Sequence, residues 1–471
     1  MRIADRLRAE WLFVSLVTAF GLIYLIWYPA SYSIEDEAHI LSLAYSLEHG
    51  SIYPDHAGPD AGFPIDGHLV SKFSIVHAGL LVPAVATDWR LGFLVSAGFL
   101  VAGAFVVRSM LQREGLDSGW SALYFLLLGA LFYSQTLMAA VPAAVVGLIA
   151  VSMLMRSEPR PAAAGLLFGI SVLMHPWMGP LAIVAAAVWC IEQGTRNFLS
   201  NATRISLGAS PAIAALAAIN YASTGNPLVN SYTLLGHQHS FTFDALIAQT
   251  PFYLVSLAIF PLAGWAIFSP KWSRGWTLPI TAAVVVTLAS MYGYRDGLNV
   301  GSARVGRVFA LAAGAIPGQR FLIPVSMLAC VPAARFLSAR FASVGERYVE
   351  AVRPLALAAF AIIFAVLSLA HRNYQRAHYE VQTALRRVIP PDARVVVSPE
   401  LLKEFAPVDG LYDHVEDTDS TPQPAPGAYF ALSSPPQAAP SAAFLDHRRS
   451  EIVKVRSWIW NRDLWLAWPK N

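Results

Sequence analysis

An acidic pair opens the first long polar stretch of the chain: Ser33-Ile34-Glu35-Asp36-Glu37-Ala38-His39-Ile40-Leu41. The pattern predicts a helix from Asp36 to His49, ended by Gly50. Ile40, Leu43 and Leu47 share a helix face with Asp36, while His39, Ser42, Ser46 and His49 take the other side. Asp36 therefore heads an apolar stripe that should pack against something, and the positive end of the helix favours its carboxylate form. Two readings follow. Asp36 is a general base at a surface, or it is an N-cap with Glu37 in the first turn. The local residues leave both open.

Cations that could face such an acid are few. Arg295, Arg304, Arg307 and Arg320 gather in one segment. A guanidinium matches a phosphate with a rigid fork of donors, so this segment is a candidate phosphate site, with Arg320 favoured. The alternative is a solvated loop or contact with anionic headgroups. Lys72 is the sole Lys or Arg in residues 30–89. It either reaches a phosphate or snorkels from an interfacial helix. His39, His49, His56, His68 and His77 lie in the same stretch, and His237 and His239 in a later one. A divalent metal beside His39, Asp36 and Glu37 is conceivable, but the first loop has no tight ligand spacing and a single pair is not a site. No metal site or cofactor is expected. His175 falls near the end of an apolar segment, where a polar residue tends to be functional. The cysteines, Cys190 and Cys330, are too few for a disulfide framework and sit in apolar runs.

The elements that must hold these residues are apolar. Of 471 residues, 56% are hydrophobic and 13% charged, against about 25% charged in soluble domains. One water-soluble core cannot bury that much apolar surface, whereas lipid can solvate it. The net charge of +3 gives no case for nucleic acid. Apolar segments at 11–29, 90–110, 119–134, 140–155, 161–174, 176–192, 204–223, 250–269, 275–294, 320–338 and 353–371 predict a polytopic α-helical membrane protein. That is about 11 transmembrane helices by the length rule. The first segment is read as a retained anchor that ends in Trp27-Tyr28.

Segment 69–87 is apolar but carries Lys72, His77 and Pro83. If it lies at the interface and the N-terminus is inside, the inner loops carry Arg108 and Arg113, Arg156 and Arg160, Arg196 and Arg204, Lys271 and Arg274, and Arg335 to Arg353. That obeys the positive-inside rule throughout, and a spanning 69–87 would reverse it. The expectation is thus a membrane module over 1–372, with 30–89 as its first outer loop. A small extracytoplasmic α/β or β-rich domain over 373–471 follows, with a strand-like run at Ala393–Ser398, a short apolar run at Tyr429–Leu432, and runs rich in Trp, Val and Ile at Glu451–Trp460 and Leu464–Trp468.

Five motifs resemble those of the GT-C integral membrane glycosyltransferases, the superfamily of protein O-mannosyltransferase and aminoarabinose transferase relatives. They are Asp36-Glu37-Ala38 with Ala44, Leu47 and Gly50; Lys72–Pro83, like an amphipathic interfacial helix; Phe132–Met138 followed by Val141-Pro142-Ala143; Asn220-Tyr221 with Gly225-Asn226-Pro227-Leu228 and Ser231-Tyr232; and Arg320-Phe321-Leu322-Ile323-Pro324. The resemblance implies transfer of a sugar from a polyprenyl-phosphate donor to an acceptor at the outer face of the membrane, in a single inverting displacement. It gives Asp36 the role of base, with Glu37 beside it. Arg320, Lys72, Arg307 and Arg304 would serve the donor phosphate, and His39, His175 and Tyr232 are further site residues. The expected location is a bacterial inner membrane, with site and tail extracytoplasmic. The chain departs from the pattern at Ala140, where relatives often carry a second acid, and at His175, where they often carry Arg. Any mechanism that needs two carboxylates then has to draw on Glu37. The rival readings are a lipid-linked sugar transporter, which internal repeats would favour, and a non-catalytic scaffold of the same fold.

Overall fold

The computed structural model describes residues 3–29, 31–33, 35–54, 62–229, 242–259, 277–291, 319–341, 346–390, 393–398, 401, 415–417, 428–434, 448–456 and 461–469. Helix α1 (Ile3–Ile26) is pinned where it leaves the bundle. Tyr24 donates to the Phe93 carbonyl at 2.8 Å and Tyr28 to the Arg90 carbonyl at 2.6 Å. Helix α2 (Glu35–Glu48) ends as its sequence predicts: Gly50 takes φ +80°, Gly50 N donates to Leu47 O and Ser51 N to Ser46 O. That is the paired C-terminal closure which glycine permits without steric cost. Ile40 and Leu43 are buried, and so are His39, Ser42 and Ser46 on the face read as polar. The helix is sandwiched, and its described residues become exposed only at its end, with Glu48 and then His49.

A hairpin unforeseen in the sequence follows: β1 (Gly62–Ile65) and β2 (His68–Ser71), joined at Asp66-Gly67. Both turn residues have positive φ, 49° and 80°, the two-residue geometry that suits the strands' right-handed twist. Helix α3 (Ile75–Val85) is N-capped by Ser74. Its 11 residues cover about 16 Å at 1.5 Å per residue, short of the roughly 30 Å of a bilayer core.

Helix α4 (Phe93–Arg113) is followed by a 3-10 stretch, Ser118–Leu126, and by α5 (Leu128–Tyr133). The sequence suggested one helix over 119–134. It breaks at Leu127, whose backbone is extended. Tyr124 lies against Gly103 of α4 so closely that a Cβ there would collide with the phenol. The steeper 3-10 rise of about 2 Å per residue lets this short run cover about 27 Å. Helices α6 (Ala140–Leu154), α7 (Pro161–Met174), α8 (Met178–Glu192) and α9 (Thr195–Thr224) come next. Helices α7 and α9 touch backbone to backbone. A Cβ on Gly165 would strike the Ile205 carbonyl, and one on Gly208 the Ala162 carbonyl. Small residues at such contacts replace the hydrophobic drive that lipid removes.

After α10 (Phe243–Ile259) and α11 (Thr277–Met291), a 3-10 turn, Gln319–Leu322, leads into α12 (Ile323–Phe341). Helix α13 (Glu346–Val388) has 43 residues. The expected module boundary at 372/373 falls inside it, since nothing in Asn373–Val388 stops a helix. The tail forms a five-stranded mixed sheet in the order β4-β3-β5-β7-β6: β3 (Val395–Val397), β4 (Val415–Asp417), β5 (Tyr429–Ser434), β6 (Arg448–Arg456) and β7 (Asn461–Pro469). Strand β3 is parallel to β4 and β5, and β7 is antiparallel to β5 and β6. Val381 and Leu385 of α13 and Ile389 just after it share its core with Val395, Val397 and Leu466.

Four described helical segments are long and apolar enough to cross a membrane: Trp89–Arg113, Arg196–Thr224, Arg320–Phe341 and Val352–Arg372. Outward-facing side chains such as Leu25, Ile183, Leu207 and Ile362 are more than half exposed. Lipid solvates a surface of this kind and water does not. The chain is an integral membrane protein.

Candidate active site

Segments far apart in the chain meet at the head of α2. The Asp36 carboxylate lies 3.2 Å from Lys72 Nζ through Oδ1 and 3.9 Å from Arg320 Nη1 through Oδ2. These side chains are 23%, 17% and 12% exposed. That leaves them open enough to meet a ligand and dry enough for charge to count. Lys72 is placed by the hairpin, between β2 and the Ser74 cap of α3, with its ammonium 5.0 Å from the Phe73 ring centroid. Arg320 sits in the 3-10 turn before α12, its guanidinium 4.8 Å from the Phe321 centroid. Phe321 in turn packs on Trp177 at 4.6 Å. Tyr133, at the end of α5, is hydrogen-bonded to Arg320 and feels the charge of Asp36.

His175 follows α7, and its Nδ1 accepts from Trp177 N at 3.3 Å. Desolvation, then the nearby Arg320 charge, hold its pKa down at about 3, so it is neutral near pH 7. His39 is buried and stacks on Phe73 at 6.3 Å. Glu37 turns away from the cations and is fully buried. Its Oε1 accepts from Ser33 N and Ser33 Oγ, both at 3.0 Å, and its Oε2 accepts from Leu137 N at 2.9 Å. The carboxylate thus grips the segment between α5 and α6, just before Ala140. The Leu137 carbonyl is bound in turn by His77 Nε2 at 2.6 Å. Burial lowers the His77 pKa to about 4, and as a neutral ring it donates to that carbonyl.

The structure thus brings together Asp36, Lys72, Arg320 and His175, with His39 one turn along α2. Arg304, Arg307 and Tyr232 lie outside the described residues, as do His56, His237 and His239. His68 stacks on Tyr53 at 4.5 Å, away from the acid. Among the described residues, no three His, Cys, Asp or Glu side chains gather as metal ligands would. The sequence named Tyr133 within a motif and His77 among the first-loop histidines without a role for either, and it did not show the lock of Glu37 on Leu137. The polar residues of α13 described below were missed too. The one available signal was the run of small polar residues Ser134-Gln135-Thr136 just after an apolar segment. Beside Lys72 an open groove lies between the hairpin–α3 junction and helices α7 and α9. Val70, Phe73, Val76, Leu173 and Leu216 line it.

An acid on a short helix, cations from two other segments and an apolar helical bundle define a class of membrane fold, and solved structures show which. The chain has the fold of the GT-C glycosyltransferases. It superposes on ArnT from Cupriavidus metallidurans bound to undecaprenyl phosphate with a TM-score of 0.56 and 13% identity, over 96% of this chain and 97% of that one. The apo form of the same ArnT gives 0.54 and 13% over the same shares. An apo oligosaccharyltransferase from Archaeoglobus fulgidus gives 0.46 and 12%, over 86% of this chain and 64% of that one. No protein-family model and no curated protein sequence matches the chain. At such identities the likeness is one of fold.

Proposed function

We propose that the chain is a glycosyltransferase that moves a sugar from a polyprenyl-phosphate donor to an acceptor hydroxyl at the outer face of a bacterial inner membrane. The observation that carries this is the Asp36 carboxylate held between Lys72 and Arg320 at 3.2 and 3.9 Å. Two cations suit a leaving phosphate, and a carboxylate between them suits an incoming hydroxyl. Asp36 accepts the acceptor's proton as its oxygen bonds to the anomeric carbon. The bond from that carbon to the phosphate oxygen breaks, and the electron pair leaves with the polyprenyl phosphate. Lys72 and Arg320 take up its charge. The configuration inverts because the displacement is single. Arg304 and Arg307 stand in the segment before Arg320 as further phosphate ligands.

The bound undecaprenyl phosphate in the ArnT structure supports a donor of that class, and the apolar groove beside Lys72 suits a prenyl chain. About eleven spans, with 1–372 as the catalytic module and 373–471 as an extracytoplasmic extension, complete the reading. The test is turnover in nanodiscs with a panel of polyprenyl-phosphate sugars and envelope acceptors, wild type beside Asp36→Asn. Sugar transfer or donor hydrolysis by wild type, lost in a folded Asp36→Asn, supports the reading. Equal activity in both variants removes Asp36 as the base. A wild type that neither binds nor turns over any donor overturns the reading.

A further inference from the structure

Helix α13 continues past its apolar window, and its next turns carry a buried polar stripe. His371, Gln375, His378 and Gln382 recur at intervals of four, three and four residues, which places them on one helix face. They are 1%, 3%, 7% and 7% exposed. Buried polar groups are costly unless paired, and this stripe is paired along its length with the two residues that lead into α2. His371 Nε2 lies 2.6 Å from Ser33 Oγ, and Gln375 Nε2 lies 3.1 Å from His371 Nδ1. The His378 ring sits 5.1 Å from the Tyr32 ring, and Gln382 Nε2 donates to Tyr32 Oη at 2.8 Å.

Donor accounting fixes the direction of the chain. A serine hydroxyl has one proton, and Ser33 gives it to Glu37 Oε1. Ser33 Oγ must then accept from His371, so Nε2 carries the imidazole proton. His371 Nδ1 is left to accept from the Gln375 amide. Glu37 uses its remaining oxygen on Leu137 N. Each donor in the run from Gln375 through His371 and Ser33 to Glu37 is then matched to one acceptor. Asp36 is the residue before Glu37 on the same first turn. Its backbone can move only as far as that turn does.

We infer that Glu37, Ser33 and His371 are positioning residues for Asp36, and that the outer end of α13 is thereby a working part of the active site. The inference rests on the proposed transferase reading. Glu37 is a strut between the two outer loops and not a second base, because it is fully buried and accepts from three donors of those two segments. The same helix end packs into the C-terminal sheet through Val381, Leu385 and, just after it, Ile389. The sheet therefore holds the clasp and does not contact the reacting groups.

The test uses full-length protein in nanodiscs: wild type, Ser33→Ala, His371→Ala, His371→Gln, and Arg376→Ala as a control on the exposed face of α13. Hydrogen exchange of residues 31–38 and 134–139, polyprenyl-phosphate binding, and kcat and KM are read in parallel. His371→Ala is expected to speed exchange in both segments and lower kcat about 10- to 100-fold, the scale of a 1 Å misplacement. Polyprenyl-phosphate affinity and KM should stay within about twofold, because Lys72 and Arg320 are untouched. His371→Gln, which keeps a donor toward Ser33, restores most of both losses, and Arg376→Ala changes nothing. Unchanged exchange at 31–38 in His371→Ala overturns the inference. So does a parallel fall of kcat, binding and melting temperature that His371→Gln fails to relieve. If wild type proves inactive on every donor, the transferase reading fails by itself, and the exchange data still decide whether α13 holds the head of α2.

Discussion

Replacing Asp36 by Asn should separate binding from chemistry, with opposite signs. In the free protein Asp36 neutralises Lys72 at 3.2 Å and lies 3.9 Å from Arg320. A phosphate that contacts the same two cations comes to rest roughly 6 Å from the carboxylate. At an effective dielectric of about 20, two like charges at that distance repel by about 3 kcal/mol. Asp36 is 23% exposed, and screening reduces this to about 1 kcal/mol. Asp36→Asn removes the repulsion, so polyprenyl phosphate should bind about fivefold more tightly. Turnover should fall about 10²- to 10⁴-fold, the usual contribution of a general base. The substitution also leaves two part-buried cations facing each other, at a cost of about 1 to 3 kcal/mol in the unliganded protein. Affinity is therefore read by native mass spectrometry or calorimetry, with each variant's ligand-free melting temperature recorded beside it. A folded Asp36→Asn that binds polyprenyl phosphate several-fold more weakly than wild type would refute the argument, because it would make the carboxylate a binding group for the phosphate side.

Lys72→Met should weaken polyprenyl-phosphate binding about 10- to 100-fold, the worth of one charge-assisted contact, and an unchanged Kd in calorimetry would remove Lys72 from the phosphate site. Gly208→Val should cost about 3 kcal/mol, because its Cβ meets the Ala162 carbonyl; thermal melting in detergent checks this, with Gly98→Ala, which meets nothing within 4 Å, as the neutral control. His77, held neutral by burial down to a pKa of about 4, binds its proton less readily folded than unfolded. Its contribution is complete above pH 6.5 and is lost as pH falls toward 4, by about 1.4 kcal/mol per unit within that window. Melting curves from pH 7 to 4 should be less steep in His77→Gln than in wild type, and parallel curves would count against the burial argument.

Periodicity and glycine made much of the fold readable before any coordinates. Helix α2 was marked by Ile40, Leu43 and Leu47 and by the Gly50 stop. Four of the described tail strands overlap the apolar runs noted in the sequence, with different ends. Elements whose shape depends on distant partners could not be read that way. The 119–134 segment looks like one apolar helix, but the break at Leu127 and the 3-10 turns before it come with the Gly103–Tyr124 contact, which no local pattern encodes. The Asp66-Gly67 hairpin has strands of four residues, one containing Pro64, too short to register as alternation.

The candidate site divides along the same line. Asp36 stands out because an acid heading an apolar stripe conflicts with its surroundings, and such conflicts concentrate at functional positions. Lys72 stands out because it is the one Lys or Arg of its loop. Glu37 is legible only in part. Beside Asp36 it reads as a second acid for the same chemistry; the strut inferred for it depends on Leu137, 100 residues from Glu37, and on Ser33, itself bonded to His371, 338 residues from Ser33. The spacing of His371, Gln375, His378 and Gln382 was visible as a helical face, yet a polar face beyond an apolar window ordinarily means solvent. What turns it into an interface is the exit of α1 beside α13, which delivers Tyr32 and Ser33 to that face. A single helix that spans the membrane, clasps the head of α2 and carries the sheet makes the site's geometry depend on the far end of the chain. Substitutions in the tail should therefore act on kcat before they act on donor binding.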